Sequence, residues 1–260
     1  MPTMTRHIDL NCDMGESFGL FKHGVDEAII PFITSANLAC GFHGGDPGVM
    51  RRSVRLAKAH GAAVGAHPGF PDLLGFGRRS LGATVAEVQD YVTYQVGALQ
   101  AFCRAAGIRL HHVKPHGALY MLALEDETIA DAIVEAVLEV DERLLLYTTG
   151  GTAAEAAARR KGLRVAREFF ADRPLHSRGW TMFGYDLADA GGTVAGMAQR
   201  VVQVVTEGKT VTTDRQMVDF AVDTICVHSD TPGAAQIMQG IREALEAAGV
   251  AIRVASAADE

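Results

Sequence analysis

Long hydrophobic runs are missing from this chain: no stretch approaches the roughly 18 uncharged apolar residues that a membrane helix needs. A basic excess is missing too. Lys and Arg number 24 against 31 Asp and Glu, a formal net charge of -7, which argues against a dedicated nucleic-acid binder. Cysteine is sparse. Cys12, Cys40, Cys103 and Cys226 are scattered with no CxxC pair, the pattern of reduced thiols in a cytoplasmic protein. The opening MPTMTRHIDLNCD runs straight into strand-like sequence with no apolar leader, so a cytoplasmic location is the expectation. Several catalytic signatures are also absent. There is no GxSxG nucleophile elbow, no HExxH zinc helix and no GxGxxG dinucleotide fingerprint. Gly208-Lys209-Thr210 resembles the end of a phosphate loop, but Gln203 stands where the leading glycine belongs. Gly150-Gly151 before a helical segment is a weak phosphate signal.

What is present is ample material for a core, with 48% hydrophobic residues, which excludes disorder for most of the chain. Short apolar runs alternate with longer amphipathic segments. Strands are predicted at 7–13, 33–39, 62–67, 109–114, 143–148, 163–169 and 223–228. Asp46-Pro47 opens a helix that Gly61 closes, and Thr84-Val-Ala-Glu87 is a capping box opening a long helix that ends at Gly107. Further helices are expected near 126–139, 152–160, 192–207 and 232–248. This alternation predicts an α/β protein with a parallel sheet, either open and doubly wound or closed as a barrel. No linker or repeat divides it, so residues 1–260 read as one domain, with 170–191 an irregular loop.

The polar residues favour the barrel. In HIDLNCDMG one face of the strand carries His7, Asp9, Asn11 and Asp13, while the other carries Ile8, Leu10, Cys12 and Met14. A row of carboxylates and amide on a buried parallel strand suits a polar lumen. The same residue types recur where later strands end: Asn37, then His43 and Asp46; His67; His112 and Lys114, then His116; Glu168, then Asp172 and Arg173; His228 and Asp230. Binding and chemistry gather at the C-terminal ends of strands in such folds. A single histidine or helix-capping aspartate has a structural reading, but six coincident strand ends indicate a site. Its chemistry is acid–base, or that of an N/O metal site built from Asp13, His43, His67 and His116.

Taken together, DLNCDMGESFG (9–19), NLACGFHGGDP (37–47), GAHPGFPD (65–72), VKPHGALY (113–120), the EFFADR segment (168–173) and ICVHSD (225–230) resemble the LamB/YcsF family from about residue 7 to 250. The resemblance implies a distorted seven-stranded parallel (β/α) barrel, like those of glycoside hydrolases and polysaccharide deacetylases. It also implies a 5-oxoprolinase role, the ATP-dependent opening of 5-oxoproline to L-glutamate with partner subunits B and C. ATP is then the co-substrate, with a divalent metal a further option, and a homodimer through the outer helices is compatible with such a barrel. Two departures stand out. Val227-His228-Ser229-Asp230 replaces the family's usual VHGD, and Pro174–Tyr185 replaces a DGxLVPR-like stretch, leaving Arg178 as its nearest arginine. The altered loop at the mouth leaves open which lactam or amide is the substrate.

For lactam opening, Asp13, His67, His116 and Glu168 are the acid–base candidates, with Lys114 or Arg173 facing the developing negative charge. Asn11, Asn37, His43, Asp46, Asp172, Arg173, His228 and Asp230 are expected to bind substrate or support the site. Two other functions fit the same residues: a metal-dependent amide or acetyl hydrolase of the deacetylase type, and a noncatalytic lactam- or carbohydrate-binding protein.

Overall fold

The computed structural model describes residues 6–256. In chain order its strands are β1 (His7–Met14), β2 (Ser35–Ala39), β3 (Ala63–His67), β4 (Leu110–Val113), β5 (Leu145–Thr148) and β6 (Arg164–Phe170), then two short antiparallel pairs, β7 (Leu175–His176) with β8 (Gly179–Trp180) and β9 (Lys209–Val211) with β10 (Met217–Asp219), and finally β11 (Thr224–Cys226) and β12 (Ala251–Ile252). Strands β1 to β6 pair in parallel in chain order, β11 joins β6, and β11 returns to β1 through Asp9↔Thr224, Leu10↔Ile225 and Asn11↔Cys226. Seven parallel strands are thereby closed into a barrel. β12 extends β1 at His7 and Ile8.

Helices α1 (Asp26–Ile29), α2 (Pro47–His60), α3 (Val85–Ala105), α4 (Gly117–Glu125), α5 (Glu127–Val140), α6 (Ala153–Lys161), α7 (Val194–Glu207) and α8 (Ala234–Ala247) connect the strands. Their ends follow the sequence signals. The Asp46 carboxylate accepts from the Val49 amide at 2.8 Å, and Gly61 closes α2 in the left-handed conformation at φ 71°. Thr84 and Glu87 form the expected reciprocal box. Helix α4 is not foreseen by the periodicity, because GALYMLALE is apolar almost throughout and shows no amphipathic pattern. The 170–191 segment is less irregular than expected: it holds the β7–β8 hairpin and a short 3₁₀ turn at Leu187–Ala190.

Alternation along the strands sorts the interior into two environments. Ile8, Leu10, Cys12 and Met14 face outward into the apolar layer between sheet and helices, all fully buried. The opposite face fills the lumen with polar groups in layers. At the bottom, Asp9 accepts from Thr34, Ser35, Tyr147 and Thr224 hydroxyls at 2.6–3.1 Å. Above it, Asn11 bridges Thr224 and Asn37, and the Asn37 carbonyl meets His112 Nε2 at 2.6 Å. His112 stacks on Tyr147 at 4.0 Å, and a Cβ added at Gly65 would collide with the His112 ring, so only glycine leaves room for it. A lumen this polar is stable because nearly every group in it has a partner.

Candidate active site

The top layer of the lumen is where partners become incomplete. Lys114, one residue past β4 and 2% exposed, places Nζ 2.9 Å from Asp13 Oδ1 and 2.9 Å from Glu168 Oε1. Cys226 Sγ lies 3.1 Å away and the Phe170 ring beneath it at 5.3 Å. Burial works against the charge on Lys114, but Asp13, Cys226 and Glu168 outweigh it and hold the ammonium well above its ordinary pKa. Asp13 is likewise pushed up by burial, yet His67, Lys114 and His228 hold it well below the usual carboxylate range. An ionised carboxylate and a charged lysine thus face each other in a dry setting, where each interaction is stronger than in water.

The other Asp13 oxygen, Oδ2, lies 3.3 Å from His67 Nε2 and 3.7 Å from His228 Nε2. His67 ends β3, and its Nδ1 donates to the Lys114 carbonyl at 2.6 Å, since a carbonyl can only accept. His116 caps α4 and donates from Nε2 to the Phe76 carbonyl at 2.8 Å, leaving Nδ1 2.9 Å from His67 Nε2. His43 lies flat on His116 with ring centroids 3.7 Å apart. Burial, then neighbouring imidazoles, keep His43 and His116 well below the ordinary histidine value, so both are neutral near pH 7. The loop that follows His67 is held from behind by Gln95 of α3, whose side-chain amide bonds the Gly69 N–H and C=O.

A second assembly stands beside the first. Fully buried Asp172 accepts from Arg173 Nη1 at 2.7 Å, Thr231 Oγ1 at 2.5 Å, the His228 amide at 3.0 Å and His228 Nδ1 at 3.1 Å. Burial raises its pKa, but His228, Arg173 and these hydrogen bonds outweigh that and hold Asp172 well below the carboxylate range. This pins His228 with Nε2 free to face the recess. Asp172 is therefore a positioning residue, and Asp172→Asn should lower stability by about 2 kcal/mol, the scale of hydrogen bonds to a buried charge. The sign follows from linkage: a depressed carboxylate contributes fully above about pH 4 and loses its contribution as pH falls further. The deficit of the variant against wild type should accordingly shrink in acid. Urea titrations across pH check this, and a pH-independent deficit would contradict it.

These groups open onto a recess lined by Asp13, His67, Arg78, Lys114, His116 and Arg173, with Tyr120, Phe170, Met182, Phe183 and His228 completing the wall. Of the residues proposed from sequence, Asp13, His67, Lys114, His116, Glu168, His43, Asp172, Arg173 and His228 converge here. Asp230 joins through Arg78 at 2.5 Å and Arg173 at 3.6 Å. Asn11 and Asn37 lie deeper, positioning Asp13 and His112. Asp46 does not enter the cluster; its two oxygens hold the Val49 and Gly19 amides. Arg178 sits in the exposed β7–β8 turn, so the recess takes its guanidinium groups from Arg78 and Arg173.

Glu16 reads in the sequence as one of the acidic residues near the strand ends, with no role assigned, and the structure brings it into this cluster. It follows β1, where strand alternation no longer predicts direction, and Gly15 at φ 70° turns the chain so that Glu16 folds back over the histidines. Its Oε1 lies 3.5 Å from His43 Nε2 and 3.6 Å from His116 Nδ1. Burial, then the charges of Asp13, Asp230 and Asp26, push its pKa well up. Residues able to hold a metal are Glu16, His43, His67 and His116 in one group, and Asp13, Cys226 and His228 in another.

A closed parallel (β/α) barrel, with buried histidines, carboxylates and one lysine at the C-terminal ends of its strands, defines the structural class of this protein. Within that class the chain belongs to the LamB/YcsF family, whose model matches residues 8–260. It is 50% identical over 255 residues to the 5-oxoprolinase A subunit of Bordetella pertussis, covering 97% of this chain and 100% of that protein. Against the protein of the same name from Symbiobacterium thermophilum it is 51% identical over 251 residues, 95% of each chain. A solved structure, the lactam utilization protein from Thermus thermophilus, superposes with a TM-score of 0.89 at 48% identity, covering 95% of this chain and 99% of that one. Among the described residues no helix is long and apolar enough to cross a membrane.

Proposed function

We propose that this chain is the lactam-opening component of a cytoplasmic, ATP-dependent 5-oxoprolinase, converting 5-oxoproline to L-glutamate with partner subunits B and C. The observation that carries this reading is the Asp13–Lys114–Glu168 cluster beside an Asp172-oriented His228, on a recess that also presents Arg78 and Arg173. A five-membered lactam is a stable amide. Transfer of the ATP terminal phosphoryl group to its carbonyl oxygen opens the carbon to water and releases ADP. Addition of one water and cleavage of the C–N bond frees the amine and leaves an acyl phosphate. A second water then releases glutamate and phosphate. His228 Nε2 is placed to take the proton from water, with Asp13 stabilising the imidazolium that forms. Lys114 faces the negative charge developing on oxygen, and the two guanidinium groups suit the substrate carboxylate.

Handling of ATP with the partner subunits is supported by the two glycine sites. Gly208 is the left-handed C-cap of α7 and Lys209 begins β9, so this tripeptide ends a helix instead of opening one. At the N-terminus of α6 the Gly151 amide donates to Glu155 Oε2 at 2.6 Å, putting a carboxylate where a phosphate would sit. The isolated chain should therefore release no glutamate from 5-oxoproline, with or without ATP, and activity should appear when subunits B and C are added. A coupled glutamate assay checks both arms. ATP-independent glutamate release by the chain alone would overturn the proposal in favour of a metal-dependent amide hydrolase, the reading that the histidine cluster favours second.

A further inference from the structure

We propose that Glu16, His67 and His116, with His43 beside them, bind one divalent transition-metal ion of the zinc class. Nε2 of His67 and Nδ1 of His116 face each other at 2.9 Å, and both rings donate their other N–H to a backbone carbonyl, Lys114 and Phe76. In neutral rings two lone pairs then point at one another. Something positive must lie between them. A shared proton satisfies that one pair, yet it leaves Glu16 Oε1 and both ring nitrogens of His43 buried without a hydrogen-bond partner. An ion answers the facing pair, Glu16 Oε1 and one nitrogen of His43 at once.

The distances suit it. A tetrahedral ion with bonds of about 2.0–2.1 Å sets its donor atoms about 3.3 Å apart. Here the spacings are 2.9 Å for His67–His116, 3.5 Å for Glu16–His43 and 3.6 Å for Glu16–His116, and each of the four residues offers an atom within 4.8 Å of the others. The ring N–H to backbone carbonyl bonds are those that fix ligating histidines in metal sites. Imidazole with one carboxylate selects the zinc class over magnesium or calcium. His43 lies parallel to His116, so its nitrogen reaches the ion by tilting out of that stack. Space around the rings is kept by glycine: a Cβ at Gly69 would sit 2.6 Å from His43 Nδ1, and at Gly77 2.8 Å from His116 Cδ2.

This set differs from the one read from sequence by exchanging Asp13 for Glu16. Asp13 keeps its role beside Lys114, with Oδ2 3.3 Å from the same His67 nitrogen but outside the group of four whose donor atoms lie within 4.8 Å of one another. In lactam opening the ion supplies a Lewis acid at the recess, a role that rests on the function proposed above; the binding site itself does not.

The test uses the full-length chain without partners or ATP. After removal of metal with a chelator, Zn2+ is titrated calorimetrically and Co2+ spectroscopically. One ion per chain is expected, with visible Co2+ bands of a low-symmetry nitrogen and oxygen site and no thiolate charge-transfer band. Glu16→Gln should weaken Zn2+ binding by at least roughly 10-fold, and His67→Ala should abolish it, while Cys226→Ser leaves it unchanged. His67→Ala tests this only if it folds; Glu16→Gln keeps the shape of the side chain and decides the matter alone. Absence of stoichiometric uptake, unchanged affinity in Glu16→Gln, or a thiolate band that disappears in Cys226→Ser would overturn the proposal. Zinc binding without glutamate release by the assembled subunits would remove the function and leave the site; full release by metal-free protein that takes up no zinc would do the reverse.

Discussion

Asp13→Asn is expected to lower glutamate release by the assembled subunits at least roughly 100-fold, the scale of a lost acid–base contribution, while the chain stays folded. The side chain keeps its shape, so packing is preserved. What changes is charge. In the native site Oδ1 shares Lys114 with Glu168, and Oδ2 faces both His67 and His228. Without the carboxylate, an imidazolium formed at His228 loses the anion that stabilises it, and Lys114 is left to Glu168 alone. The effect should fall on kcat with KM nearly unchanged, because Asp13 acts on charge that develops during reaction. Circular dichroism and thermal melting establish that the fold survives. Wild-type turnover in the folded variant would remove Asp13 from the mechanism.

Lys114→Met is expected to have the largest effect on stability, about 3–5 kcal/mol, the range for removing one partner of a buried ion pair. Methionine fills the volume, so the loss measures charge and not a cavity. Asp13 and Glu168 would be left facing each other, both at most 3% exposed, with no cation between them. Glutamate release should fall below detection as well. The double variant Lys114→Met/Glu168→Gln removes one of the stranded carboxylates and should recover part of the lost stability. Denaturant titrations of the single and double variants measure this. A loss under about 1 kcal/mol in the single variant, the scale of an exposed pair, or no recovery in the double would show that the charge cluster is not what holds the top of the lumen together.

Much of this was legible in the chain because barrel strands carry a short-range code. The seven predicted strands match the seven barrel strands to within one or two residues at most ends, and the His7-to-Met14 alternation separated lumen from outer face. The caps at Asp46, Thr84 and Gly61 were equally local, since each acts within four residues of itself. Helix α4 escaped because a segment buried on nearly all sides has no polar face to reveal its period. The two short hairpins escaped because pairs of two or three residues leave too little pattern to read.

The site divided along the same line. Residues at strand ends, such as His67, Glu168 and His228, could be placed because the strand direction carries them to the mouth. Asp46 reads as a helix cap in the sequence and is one in the structure. Glu16 could be placed near a strand end but its partners could not be read, since its direction depends on one left-handed glycine and on which loops it meets.

By itself the sequence determined the class of fold, the side of the sheet that is polar, and the end of the barrel where reactive groups collect. These follow from periodicities of two and 3.6 residues and from caps, all of which act within a few positions. Only the tertiary structure decided which of those groups touch: Lys114 between Asp13 and Glu168, His67 against His116, and Asp172 behind His228. These contacts join residues 49 to 101 positions apart in the chain, so no local rule contains them. Closure of β11 onto β1 brings Asp13 and His228 to the same mouth, and it is that closure which turns a scatter of polar strand ends into one site.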